Sequence, residues 1–202
     1  MNSIACNIVL IPNNKIAESA YRISSQLEKY GTLFTLKEGE YFPHLSLYML
    51  QLKDSNVAKV CEVLASIAKT PHSINLVADA YRQGERYIGA SFSRTTALDT
   101  LQMTIVNSIN TFSNGMPEKD KKHLETAKGK ALEYLELYGY RDIGEFFHPH
   151  ITLTRFKSDE EPNLEFLPSA SKFDTTFTKL AIFERGDHYT CVRKIAEFEL
   201  TG

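Results

Sequence analysis

The chain has 202 residues, enough for one ample core or two small lobes that share one, and too few for two large independent domains. Its 43% hydrophobic and 24% charged residues are those of an ordinary globular protein, which excludes a disordered or fibrous chain. A net charge of −2 excludes the broad cationic surface that grips a duplex through many phosphates, so duplex DNA is not an expected partner; a short nucleotide end in a local pocket is compatible with it.

The opening stretch MNSIACNIVLIPNN lacks a cationic n-region and a long enough apolar run for a signal peptide, and reads as a first β-strand. Asn13 or Asn14 then caps a helix whose apolar residues Ile16, Ala20, Ile23, Leu27 and Tyr30 fall on one face, with Gly31 to end it. A strand carrying PHLSL follows. Asp54 or Ser55 opens a second amphipathic helix with Val57, Val60, Cys61, Leu64 and Ile67, closed by Pro71. SINLVADAYR and RYIGASFS read as two strands around the turn QGE. A third helix from about Thr96 to Phe112 carries Leu98, Leu101, Ile105, Ile109 and Phe112, and SNGMP breaks it. A fourth starts near Pro117 with a thin apolar stripe of Leu124, Ala127, Ala131, Leu135 and Tyr138, its lysines alternating with acids as on a solvated face. The second motif strand, HPHITLTRF, comes after Gly139, and TTFTKLAIFER and CVRKIAEFEL close the chain as strands.

No stretch approaches the roughly 18 apolar residues that span a bilayer, so no membrane partner is expected. Cys6, Cys61 and Cys191 are odd in number and include no C-x-x-C pair, which suggests neither a disulfide framework nor a zinc ribbon and fits a reducing cytoplasm. One compact, monomeric domain over residues 1–202 is the expectation.

The two halves share an order of parts. FPHLSLYML, Phe42 to Leu50, and HPHITLTRF, His148 to Phe156, both write Pro, His, an aliphatic residue, a hydroxyl residue and Leu, and each precedes a strand, a polar Gly turn and another strand. Two copies imply two related lobes facing each other across a pseudo-twofold axis. A bare H-x-[ST] is expected about once by chance with six histidines, and HYT at His188, in a Gly-Asp turn without alternation, is set aside as such a coincidence. The full word occurring twice is expected by chance in roughly fewer than one chain in ten thousand.

Strand alternation puts residues i and i+2 on one side, about 6.6 to 6.8 Å apart. His44, Ser46 and Tyr48 then share a face, with Leu45, Leu47 and Met49 opposite; His150, Thr152, Thr154 and Phe156 share another, with Ile151 and Leu153 opposite. Two imidazoles can divide base and acid roles near neutral pH, and two hydroxyls can donate to phosphoryl oxygens, without a metal. His44 and His150 are therefore the candidate catalytic pair, and Ser46 and Thr152 the candidate phosphate-binding pair. Tyr48 is a candidate for stacking a nucleobase. His72 and His123 read as structural; Arg82, Arg86, Arg94 and Arg185 lie near strand turns and could rim the cleft, with solvated surface charge the favoured reading. His148 and His150 also share a face and could chelate a metal, but no third or fourth ligand is evident by spacing.

The paired words PHLSL and PHITLTRF, with YGYRDIGEFFHPHITL leading into the second, resemble the 2H phosphoesterase superfamily, which contains bacterial RNA 2',3'-cyclic phosphodiesterases and the so-called 2'-5' RNA ligases. The resemblance covers both H-x-[ST]-x motifs, at 44–47 and 150–153, and the order of elements between them. It implies a bilobal α+β fold with antiparallel sheets around a central cleft. It also implies metal-independent cleavage, with no cofactor, of 2',3'-cyclic or 2'-5' phosphodiesters in small nucleotides or oligonucleotide and RNA ends. The family's histidines fall on His44 and His150, its hydroxyls on Ser46 and Thr152, and a phosphate-holding Arg of some relatives on Arg155. An odd offset points Arg155 away from His150 unless the strand bulges. The first motif departs from the cyclic phosphodiesterase pattern, with Ser where Thr is common. The rival functions are a noncatalytic nucleotide-binding protein and a metal-dependent hydrolase built on the H-x-H pair.

Overall fold

A computed structural model describes residues 2–70, 73–159 and 162–201, and the periodicities of the sequence become an α+β architecture. The expected Pro71 stop and His72 lie outside the described residues. The first strand, β1 (Ser3–Ile11), leads into α1 (Asn14–Leu27), where the Asn13 side chain accepts a hydrogen bond from Ile16 N and Ile16, Ala20, Ile23 and Leu27 are buried. A 3-10 turn, Glu28–Tyr30, ends at Gly31 in the left-handed region (φ 76). Then come β2 (Thr32–Thr35), β3 (Leu45–Lys53), α2 (Val57–Ala68), β4 (Ile74–Leu76), β5 (Ala78–Gly84), β6 (Tyr87–Phe92) and α3 (Thr96–Ile109).

The expected fourth helix is two short ones, α4 (Lys122–Thr126) and α5 (Lys130–Tyr138). Its stripe buries only Leu135, too little to hold one continuous helix, and the chain breaks at an extended Ala127 and at Gly129 (φ 55, ψ −137). After β7 (His150–Phe156), the expected strand TTFTKLAIFER divides into β8 (Thr175–Phe177) and β9 (Lys179–Arg185), and β10 (Cys191–Glu199) closes the fold. The hairpin turn read as QGE lies one residue later, with Glu85 and Arg86 both left-handed (φ 50 and 68) and Gly84 still in its strand.

Among the described residues all strand pairings are antiparallel. The main sheet runs β10-β9-β1-β3-β7-β6-β5, with β2 added to β7, and β4 pairs separately with β8. The hairpins exchange sides: β5–β6, which follows the first motif strand, bonds to the second, while β9–β10, which follows the second, bonds to β1 beside the first. The motif strands themselves meet at one register pair, Leu45 opposite Ile151. Helices α1, α3 and α2 pack on β7, on β3 and on β9–β10 respectively, and Leu45, Leu47, Ile151 and Leu153 are all fully buried in the core they share.

Candidate active site

With Leu45 and Ile151 paired and turned to the core, the residues on either side of each point the other way. His44, Ser46, His150 and Thr152 are thereby gathered around the single meeting point of β3 and β7, and all four line one cleft of about 390 Å³.

Each motif strand then bulges at its repeated Leu. Between β1 and β3, Val9 faces Ser46 and Ile8 faces Tyr48, so Leu47 is an extra residue; between β6 and β7, Gly89 faces Thr152 and Ile88 faces Thr154, so Leu153 is extra. A bulge reverses the alternation beyond it. Tyr48 therefore does not share the His44 face, as simple alternation predicts: it is fully buried, its hydroxyl 2.8 Å from Asn110 Oδ1 and 2.9 Å from Tyr138 O, and it does not line the cleft. Met49, predicted for the core, lines the cleft instead. Thr154 is the counterpart of Tyr48, fully buried with its hydroxyl donating to Phe34 O.

The second bulge settles the odd offset of Arg155. Its guanidinium lies 4.7 Å above the Tyr87 ring, and Nη1 is 3.4 Å from His188 Nδ1; Tyr87 and His188 both line the cleft, and Arg155 stands half-buried behind them. Gly89 permits the approach of β6, since a Cβ there would sit 2.8 Å from Ile151 O.

The two imidazoles are held alike. His44 Nδ1 is 2.7 Å from Phe42 O and His150 Nδ1 is 2.6 Å from His148 O. Each acceptor belongs to the residue before a Pro, which is restricted to extended backbone, and this gives the repeated Pro-His a physical reason. A carbonyl only accepts, so Nδ1 carries the proton and Nε2 of the neutral ring keeps its lone pair. The surroundings differ. His150 is exposed, whereas His44 is 9% exposed, and burial pushes its pKa down to about 4, against the pull of the Phe42 carbonyl and with a further push from His150.

Ser46 Oγ accepts from Asn7 Nδ2 at 2.9 Å, which leaves the Ser46 proton free to be donated elsewhere. Asn7 is fully buried in an apolar strand, its Nδ2 also 3.7 Å from Cys191 Sγ and its Oδ1 without a partner among the described residues.

Three residues read from the sequence as bystanders belong to the cleft wall. His188 occupies a left-handed turn with Tyr189 (φ 55 and 61), and the Thr190 hydroxyl closes that turn by donating to Asp187 O at 2.7 Å; the third H-x-T is a turn, yet His188 faces the cleft. His123 Nε2 is 2.8 Å from Tyr189 OH. Arg185, expected on the surface, is buried, paired with the buried Asp120 and 5.2 Å from the Tyr189 ring. These are tertiary encounters between distant segments, and no local pattern announces them. Arg82, Arg86 and Arg94 do not line the cleft. Among the described residues no cluster of three or more His, Cys, Asp or Glu side chains is placed to hold a metal ion, and no helix is long and apolar enough to cross a membrane.

The fold is of a kind already known in phosphoesterase structures. Escherichia coli LigT in its apo form aligns over 100% of both chains with a TM-score of 0.61 at 15% identity, and LigT complexed with 3'-AMP over 100% of both at 0.63 and 14%. TT0787 of Thermus thermophilus aligns over 98% of this chain and 99% of its own, at 0.58 and 13%. No protein-family model matches the sequence, and no curated protein does.

Proposed function

We propose that this chain is a phosphodiesterase of the 2H phosphoesterase superfamily, one bilobal domain that cleaves 2',3'-cyclic or 2'-5' phosphodiesters of small nucleotides or oligonucleotide ends without a metal. One observation carries the reading: two imidazoles from separate halves of the chain, each with Nδ1 tied to the carbonyl two residues upstream, line one cleft beside one hydroxyl apiece. Solved structures of the same fold add support, since E. coli LigT has been crystallised with phosphate, 3'-AMP and ATP.

The unequal burial of the rings divides their labour. His44 is neutral near pH 7 and offers its Nε2 lone pair as general base to the attacking water; an anionic phosphoryl group beside it raises its proton affinity toward the useful range. As the water oxygen bonds to phosphorus, its proton passes to His44. The bond from phosphorus to the leaving oxygen breaks, and the imidazolium of His150 donates the proton that oxygen requires. Exchange with solvent resets both rings. Ser46, its lone pair engaged by Asn7, donates to a nonbridging oxygen, and Thr152 does so from the other strand. Arg155, backed by Tyr87, supplies positive charge from behind. Its cysteines are free and two of the three are buried, which supports a reducing cytoplasm as the proposed compartment, and a monomer is the proposed state.

The test is a panel of 2',3'-cyclic mononucleotides, 2'-5' dinucleotides and 3'-5' dinucleotides, run with and without chelator and read by product. Turnover of a cyclic or 2'-5' substrate should survive chelator and fall about 10²- to 10⁴-fold in His44→Ala and in His150→Ala. Wild-type turnover in either variant, or loss of activity on chelation, refutes the assignment.

A further inference from the structure

The charges around the cleft are nearly all spent on each other. Of the guanidinium groups that line it, Arg185 is paired with Asp120, and Arg141 Nε is 3.1 Å from Asp142 Oδ1. Cations beside the wall are engaged as well: Lys119 with Asp187 at 3.0 Å and Arg86 with Asp159 at 3.5 Å. Arg155 is different. Its contacts among the described residues are the Tyr87 ring and His188, which burial keeps toward its neutral form, and its Nε is buried with no partner. Glu85, at the left-handed tip of the β5–β6 hairpin, also lines the cleft and opposes additional anions. When His150 carries the proton it donates, His150 and Arg155 set against Glu85 leave a surplus of one positive charge.

Resting on the phosphodiesterase reading, we propose that the cleft is matched to a substrate whose only charge is the phosphodiester it breaks. A nucleoside 2',3'-cyclic phosphate or a 2'-5' dinucleotide with a free 5'-hydroxyl carries one negative charge there. The hydrolysis product, a phosphomonoester, carries close to two at neutral pH and exceeds the surplus, which favours its release. A terminal 5'-phosphate or 5'-triphosphate brings charge for which the described residues of the wall hold no further unpaired cation, and is disfavoured.

The experiment compares one 2'-5' adenosine dinucleotide bearing a 5'-hydroxyl, a 5'-monophosphate or a 5'-triphosphate, at low salt. kcat/KM should fall at each step, about tenfold in all from hydroxyl to triphosphate, with the gap narrowing as salt screens it. Glu85→Gln should shrink the same gap. A flat series, or a preference for the triphosphate, overturns the proposal. If none of the three is hydrolysed, the 2'-5' linkage is not the one cleaved, the phosphodiesterase reading stands or falls on the 2',3'-cyclic substrates of the panel, and calorimetric binding of the same compounds decides the charge match separately. Weakening affinity with added phosphates upholds it; a flat or rising series, or no binding at all, overturns it.

Discussion

Water stabilises the charge on an exposed imidazole and withdraws that help from a buried one, and of the two rings that make the same backbone bond only His44 is buried. Burial holds the folded pKa of His44 near 4, below its ordinary 6.5, so the unfolded chain binds that proton more readily. The stability this contributes is complete above pH 6.5 and is lost as pH falls through 4, an amount of roughly 3 kcal/mol. Urea denaturation at pH 7 and pH 4.5 should show a steeper loss in the wild type than in His44→Ala; equal losses would mean that the ring is solvated in the native state. Asn7 makes the same point about polar groups in apolar places. An orphaned buried Oδ1 costs about 1 to 3 kcal/mol, and in this chain the cost accompanies a bond that orients Ser46.

At the scale of the element, the repeated Leu does more than fill the core. As the extra residue of a bulge in both motif strands, it turns Tyr48 and Thr154 inward and brings Met49 and Arg155 round to the cleft side. Gly89 is the complement of the second bulge, because any side chain there meets backbone. Gly89→Ala should destabilise by about 1 to 3 kcal/mol through forced separation of β6 from β7, and weaken phosphate binding by moving Thr152. Denaturation and phosphate titration of that variant check this, and unchanged values in both would contradict the close approach. The bulges also explain what could be read in advance. His44, Ser46, His150 and Thr152 follow from period-two alternation, which holds up to the bulge. Beyond it the parity of Tyr48 and Met49 inverts, and nothing local distinguishes a Leu that continues a strand from one that kinks it. Strand β2 has no signature in the sequence, because four residues, TLFT, are too few to establish a period.

Over the whole molecule, the hairpins cross to the opposite motif strand, so neither half of the chain completes the cleft on its own. The order of parts, strand then hairpin in each half, was legible from the repeat. The exchange was not, because a sequence repeat is silent about which copy a hairpin joins. The same is true of the wall: Lys119, Asp120 and His123 reach the β9–β10 turn through Asp187, Arg185 and Tyr189, across more than sixty positions of chain. Most charges of this segment stay on a solvated face, Lys121, Lys122, Glu125 and Lys128 among them, while Lys119, Asp120 and His123 fasten it beside the site.

The central claim is that both imidazoles act on one phosphorus atom. A crystal structure of the protein with vanadate, which mimics the five-coordinate phosphoryl group, tests it most directly. One vanadate is expected, with an oxygen about 3 Å from Nε2 of His44, another from Nε2 of His150, and the Ser46 and Thr152 hydroxyls within the same reach. Vanadate held by one motif alone, or a separate ion at each histidine, would contradict it.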